Sequence, residues 1–195
     1  MGVRKAEVRR EAGEVAVRRA AEAIEESGGV VAAGLFRDAM SRIGAAVHVV
    51  TTGGAAGRGG ATMTAVTSVS DAPPTVLVCL NRTGRLNAIV RANGVFAINT
   101  LVAGDEPLAG VFAGVGGLDH EARFATGAWA RGQTGSPVLE GARTVLECRV
   151  SEISEVGSHA VFFGVVEAVR LGAVDPALLY IDRAYRVLPH PGEGV

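Results

Sequence analysis

Along the chain the apolar positions fall into short runs whose period changes from one to the next. Leu35, Phe36, Ala39, Met40 and Ile43 recur at helical spacing, which predicts a short helix stopped by Gly44. Ala45 to Thr52 is alternating and rich in β-branched residues, the composition of a strand. Gly53 to Gly60 is a glycine-rich turn, and Ala61 to Ser70, rich in Thr and Val, is expected to be one strand. Asp71-Ala72-Pro73-Pro74 must end it, because proline cannot donate to a ladder. Thr75 to Leu80 is a fully apolar strand, Arg85 to Ala92 a short helix closed by Asn93-Gly94, and Val95 to Leu101 a further strand.

Periodicity then weakens. Leu108, Val111 and Phe112 suggest a helix, Gly114 to Gly117 a flexible loop, and Trp129 an anchor. After Ser136-Pro137 the alternation returns. Thr144 to Val156 sets Leu146, Cys148 and Val150 on one face and Glu147, Arg149 and Ser151 on the other. Gly157-Ser158 turns the chain, and Ala160 to Leu171 returns as the second arm of a long hairpin. Leu178 to Ile181 and Tyr185 to Leu188 complete the pattern. There is no internal repeat. Short strands with few helices and short connections predict a mainly β fold, an antiparallel barrel or sandwich rather than a doubly wound sheet.

Ahead of this domain, Arg4 to Glu26 interleaves basic and acidic residues. The pairs Arg10–Glu14, Glu14–Arg18 and Arg18–Glu22 sit at helical spacing beside a thin apolar stripe. A solvated helix or partly ordered tail ending at Ser27-Gly28-Gly29 is expected, so residues 1–30 form an extension and residues 35–190 the domain. The net charge of -1 gives no basic face for nucleic acid. No apolar run reaches the roughly 18–20 residues that span a bilayer, and the charged start lacks the core of a signal peptide. These features point to the cytoplasm, without membrane or nucleic-acid partners. Cys79 and Cys148 form no CxxC pair and lie in apolar runs, so both are expected as small core residues.

Four segments could carry chemistry. Gly53 to Gly60 resembles a phosphate loop in composition only. A dinucleotide fingerprint opens a helix, and the Thr- and Val-rich run that follows is a strand, so a hairpin turn is expected. Thr62, Thr64, Ser68 and Ser70 share a parity and would make a hydroxyl face, which needs solvent, other polar groups or a ligand. A flavin ring edge, with its carbonyl and nitrogen acceptors, is one such ligand. Asn81-Arg82-Thr83-Gly84-Arg85 brings a hydroxyl, free amides and guanidinium groups to the start of a helix, which suits either a phosphate or an ordinary capped turn. Gly157-Ser158-His159 puts a histidine at a hairpin tip, solvated or facing a ligand. His48 and His190 have no evident partner. His120, between Asp119 and Glu121, lacks the spacing of a metal site, and no nucleophilic triad is visible. Tyr180 to Tyr185 reads as structural from its composition.

Taken in order, Phe36 to Ser41, Val47 to Thr52, Ala61 to Asn81, Gly94 to Asn99, Phe112-Ala113-Gly114, Gly157-Ser158-His159 and Tyr180 to Tyr185 resemble one family. It is the short-chain flavin reductases, the reductase components of two-component flavin monooxygenases, similar to the 4-hydroxyphenylacetate 3-monooxygenase reductase. The resemblance spans about Leu35 to Leu188. It implies a split β-barrel, of homodimeric assembly, holding FAD or FMN non-covalently, with NADH or NADPH as hydride donor and a partner monooxygenase receiving the reduced flavin. It assigns Thr62, Thr64, Ala65, Val66, Ser68 and Val69 to the isoalloxazine and ribityl chain, and Thr83, Gly84 and Arg85 to phosphate. Val115, in the loop after Phe112-Ala113-Gly114, falls near the adenylate end or the second subunit. His159 and Tyr180, Ile181, Asp182 and Arg183 face the nicotinamide nucleotide. No residue is assigned as acid or base, because hydride transfer needs neither. A non-catalytic flavin-binding electron carrier on the same fold is the alternative. The Val115-Gly116-Gly117 insertion and the Met1–Glu26 extension depart from the family pattern.

Overall fold

A computed structural model describes residues 30–189. The expected helix at Arg4–Glu26 and His190 lie outside the described residues. The chain divides into two compact units between Ile43 and Gly44. In the first, helix α1 spans Ala33–Ser41 and buries none of its side chains.

The second unit is mainly β. Its strands are β1 (Ala45–Ala46), β2 (His48–Thr52), β3 (Gly59–Met63), β4 (Val66–Asp71), β5 (Pro74–Asn81), β6 (Val95–Thr100), β7 (Trp129–Arg131), β8 (Pro137–Leu139), β9 (Thr144–Val156), β10 (His159–Leu171), β11 (Ala177–Ile181) and β12 (Ala184–Leu188). Helix α2 (Arg85–Asn93) ends on Gly94 in the left-handed region (φ 68°), and α3 (Glu106–Phe112) follows β6. One antiparallel sheet has the order β3-β2-β6-β9-β10-β5-β4; smaller sheets are β1-β11-β12 and β7-β8. Among the described residues no helix is long and apolar enough to cross a membrane.

Two expected strands are each divided. Ala45–Ala46 pair with β11, and His48–Thr52 pair with β3 and β6, so the chain changes sheets at Val47. The expected single strand over Ala61–Ser70 is corrected to two, broken at Thr64-Ala65. Its first part pairs with β2 and its second with β5, at opposite edges of the large sheet. Alternation reports which face a residue takes; it does not report a change of partner. The hydroxyl face expected over Thr62–Ser70 is therefore not continuous.

Every strand of the large sheet feeds one inner core. Val50, Ala61, Met63, Val66, Val78, Ile98, Phe96, Cys148 and Phe162 meet there, with Leu86 and Val90 of α2. The opposite face of β2, β6 and β9 packs Val49, Ala97 and Val145 under α3, Phe124, β8 and Leu178. Covering both faces buries Glu147, which alternation had set on a polar face. Its Oε2 accepts from the Thr134 amide at 2.8 Å and the Thr134 hydroxyl at 2.9 Å. Cys148 is buried as expected, and burial pushes its thiol up to about 12. Cys79 is only half-buried.

Two outcomes follow from this packing. A Cβ on Gly164 would lie 2.5 Å from the Phe96 ring and 2.8 Å from Cys148 Cβ. Gly164→Ala should therefore cost about 1–3 kcal/mol, as overpacked cores do, read from urea unfolding. His48 faces Thr100, Nδ1 to Oγ1 at 3.0 Å, and burial lowers its pKa from 6.5 to about 4. The unfolded chain then takes up the proton first. Stability is complete above pH 6.5 and is lost as the pH falls toward 4, by about 2 kcal/mol between pH 7 and 5. His48→Gln should flatten that part of the stability profile.

Candidate functional site

The break at Thr64-Ala65 opens onto a cleft of about 490 Å³. Ala61 to Ala65 form one wall, and Cys79 to Asn81 with Gly84 to Asn87 another. Phe112, Ala113, His120, Arg123 and His159 complete the lining. Small residues at Ala61, Ala65, Gly84 and Ala113 let a flat group approach the backbone. A larger cleft of about 630 Å³ is lined by Gly53 to Ala55, Gly57 and Arg58 of the glycine-rich turn with Trp129 and Arg131, and holds none of the residues that the family resemblance assigns to a ligand.

The corner has its own backbone bonds. The Val66 amide donates to Thr64 O at 2.9 Å and the Cys79 amide to Ala65 O at 3.2 Å. Thr62 Oγ1 donates to Ala109 O of α3 at 2.7 Å, so that hydroxyl is committed to the fold. At the opposite wall α2 begins at Gly84. It has no side-chain cap and no acidic residue in its first turn, so nothing on the helix offsets its positive end. Arg85 is exposed there and makes no hydrogen bond or ion pair among the described residues.

Arg123 reaches the cleft from the short 3-10 turn Ala122–Ala125. Its Nη1 donates to Phe112 O at 3.2 Å and its Nε to Leu118 O at 3.1 Å, which pins the intervening loop. His120 Nδ1 is buried without a hydrogen-bond partner. Burial first, then the Arg123 and Arg85 charges, hold its pKa below the ordinary histidine value. The nearby carboxylates offset these cations only in part, with the Asp119 charge acting on Arg85 and His120. Asp119 accepts the amides of Ala122 and Glu121 at 2.8 and 2.9 Å, and Glu121 pairs with Arg58 at 2.5 Å. The amide bonds, that of Ala122 foremost, hold the Asp119 carboxyl below its usual range.

The cleft thus gathers Thr62, Thr64, Ala65, Gly84, Arg85 and His159. Val66 turns into the inner core, while Ser68 and Val69 are exposed along β4. Thr83 lines a neighbouring cleft, its amide and hydroxyl both donating to Asn81 Oδ1 at 2.9 Å. Val115 is exposed. Tyr180 packs on Tyr185 at 5.4 Å and against the outer core, and Ile181 lies against Gly44. Asp182 and Arg183 form the β11–β12 turn at φ 51° and 58°. None of that run lines the cleft. Sequence reasoning missed Arg123, His120 and Cys79. Arg123 and His120 lie in the aperiodic stretch after α3, where no local signal points to them.

Apolar and small at one wall, cationic at the other, the cleft suits a planar ring carrying a phosphate. The unpartnered His120 Nδ1 and the uncapped α2 amides are donor or acceptor sites that such a group would satisfy. Among the described residues no cluster of His, Cys, Asp and Glu could hold a metal ion.

Comparison with known proteins agrees with this chemistry. The flavin reductase like domain model matches residues 40–189. A protein of Agrobacterium fabrum named FMN reductase (NADH) RutF is 50% identical over 153 residues, covering 78% of this chain and 87% of that one. Its namesake in Escherichia coli is 46% identical over 156 residues, 80% and 94% of the two chains. Among solved structures, BorF, the flavin reductase component of a bacterial two-component tryptophan halogenase, superposes with a TM-score of 0.77. It is 28% identical and covers 82% of this chain and 100% of its own. The NADH:FAD oxidoreductase of Streptomyces globisporus, in complex with NAD and FAD fragments, gives 0.74 at 28% identity, over 86% and 100%. On the family model, the relatives and the shared fold, this chain belongs to the flavin reductase-like domain family.

Proposed function

We propose that this chain is an NADH-dependent flavin reductase that takes FMN in the Thr64–Ala65 cleft and passes reduced flavin to a partner monooxygenase. The observation that carries it is the convergence in one cleft of the small-residue corner, the uncapped α2 N-terminus with Arg85 and Arg123, and His159. Relatives named FMN reductase (NADH) support the flavin and the donor.

The chain's own residues bind and orient. The Thr64–Ala65 backbone and its small neighbours receive the ring, while α2 and Arg85 receive the phosphate. A bound flavin supplies the chemistry, accepting the hydride that NADH releases as it becomes NAD⁺. His159 stands exposed at the rim, Nδ1 2.9 Å from Ser158 Oγ, and meets the nicotinamide nucleotide there. Structural neighbours that are reductase components of two-component systems support the partner. The exposed apolar residues Leu35, Phe36 and Met40 on α1, with Ile43 just after it, support a homodimer, which light scattering checks.

Steady-state oxidation of NADH and NADPH with FMN, FAD and riboflavin tests the reading. Turnover is expected with NADH and FMN, and no turnover with any flavin would overturn it. Arg85→Ala should weaken FMN binding about tenfold, the loss of one charge-assisted contact, while riboflavin binding stays unchanged. Equal loss for both ligands would remove the phosphate role.

A further inference from the structure

The tip of the β9–β10 hairpin carries His159, and one side chain from the end of the neighbouring strand β5 grips it. Arg82 follows β5. Its amide donates to Ser158 O at 3.0 Å and its Nη1 to Gly157 O at 3.2 Å; its Nη2 pairs with Glu155 Oε2 at 2.9 Å. Arg91 Nη2 holds the other Glu155 oxygen at 2.9 Å, and Arg91 Nε donates to Asn87 Oδ1 at 2.7 Å. Both turn residues before His159 are thus tied to Arg82, and the strand leading into the turn is tied to α2.

Stability does not explain this arrangement. The Arg82 and Glu155 side chains are 49% and 48% exposed, and such pairs contribute about 0–1 kcal/mol. Geometry does explain it. A planar guanidinium with several fixed donors sets direction where a lysine would set only charge. Gly157, at φ 54°, makes the turn tight, and the Arg82 bonds fix where that tight turn points.

We propose that Arg82 is a positioning residue: backed by Glu155 and Arg91, it locks the hairpin tip so that His159 stands at the cleft, and thereby sets the KM for the nicotinamide nucleotide. This rests on His159 meeting that nucleotide. Flavin binding is independent of the clamp, because the Asn81–Gly84 turn has its own bonds. Asn81 Oδ1 accepts from Thr83, and Asn81 O accepts the Gly84 amide at 3.1 Å.

Arg82→Ala, His159→Ala and the double variant, each assayed with NADH and FMN, test it. Arg82→Ala should raise the NADH KM about tenfold, a modest misplacement cost, with kcat within about threefold and the FMN dissociation constant within about twofold. His159→Ala should raise KM similarly, and the double variant should be no worse than His159→Ala alone, because the two act as one unit. An unchanged KM in Arg82→Ala beside a raised one in His159→Ala overturns the clamp and leaves the His159 role standing. Additive effects also overturn it. An unchanged KM in His159→Ala removes the His159 role and this proposal with it. Should Arg82→Ala fail to fold, Glu155→Gln carries the same readouts, with a smaller rise in KM expected and no rise overturning the proposal.

Discussion

A link of two residues joins the opposite edges of a seven-stranded sheet. Laid flat, six strand spacings would separate β3 from β4 by about 29 Å. Three peptide steps from Met63 to Val66 reach at most about 11 Å. The sheet must therefore curl until its edges meet at Thr64-Ala65. That is why every strand points a residue into one inner core and why α2 can pack Leu86 and Val90 against it. Within the described residues β3 pairs only with β2, and β4 only with β5. The edges meet at the Thr64-Ala65 link, and the cleft opens there, between β3 with the link on one side and the end of β5 with the start of α2 on the other.

The electrostatics of the cleft follow from how carboxylates are spent elsewhere. The chain is near neutral, with a net charge of -1, so a local positive field needs acids to be occupied. Glu121 is paired with Arg58, and Glu155 with Arg82 and Arg91, while Asp119 accepts two backbone amides. Arg85 makes no ion pair among the described residues and stands next to a helix end with the same sign, with the Asp119 charge as a partial offset. His120 adds less to this field, because burial first and then the two guanidinium groups lower its pKa. It offers instead an unpartnered ring nitrogen, a group whose burial is costly until something completes it.

Much of the fold was legible in the sequence. The β9–β10 hairpin showed in its alternation and the Gly157-Ser158 turn. Helix α2 was marked by its period and Gly94, and the expected turn over Gly53 to Gly60 is the β2–β3 connection, with Gly59 and Gly60 already in β3. Where the sequence misled, the missing information was long-range. Thr64-Ala65 holds no glycine or proline, so nothing local announces a strand that changes partners. Glu147 alternates as a surface residue and is buried because Thr134, distant in the fold's turn, satisfies its oxygen. The site was legible only in pieces. The corner, the α2 start and His159 were each ambiguous alone, and Arg123 enters from an aperiodic segment that only packing of Phe112, Phe124 and Trp129, with ring centroids 5.1–5.3 Å apart, brings to the cleft.

Asn81 to Arg85 then acquires a meaning beyond the phosphate role proposed for its end. Asn81 ties down Thr83, Arg82 holds the hairpin tip, and Gly84 and Arg85 open α2. On the proposed reading, one short span sets both the end that would receive the flavin phosphate and the end that presents His159. Hydride transfer asks for no proton at the protein, only for the donor and acceptor atoms held in a near-attack arrangement. A single rigid span that references both ligands to the same backbone meets that need with few moving parts. It also explains why half-exposed ion pairs of little energetic worth are gathered at the tip: what they fix is the separation between two sites.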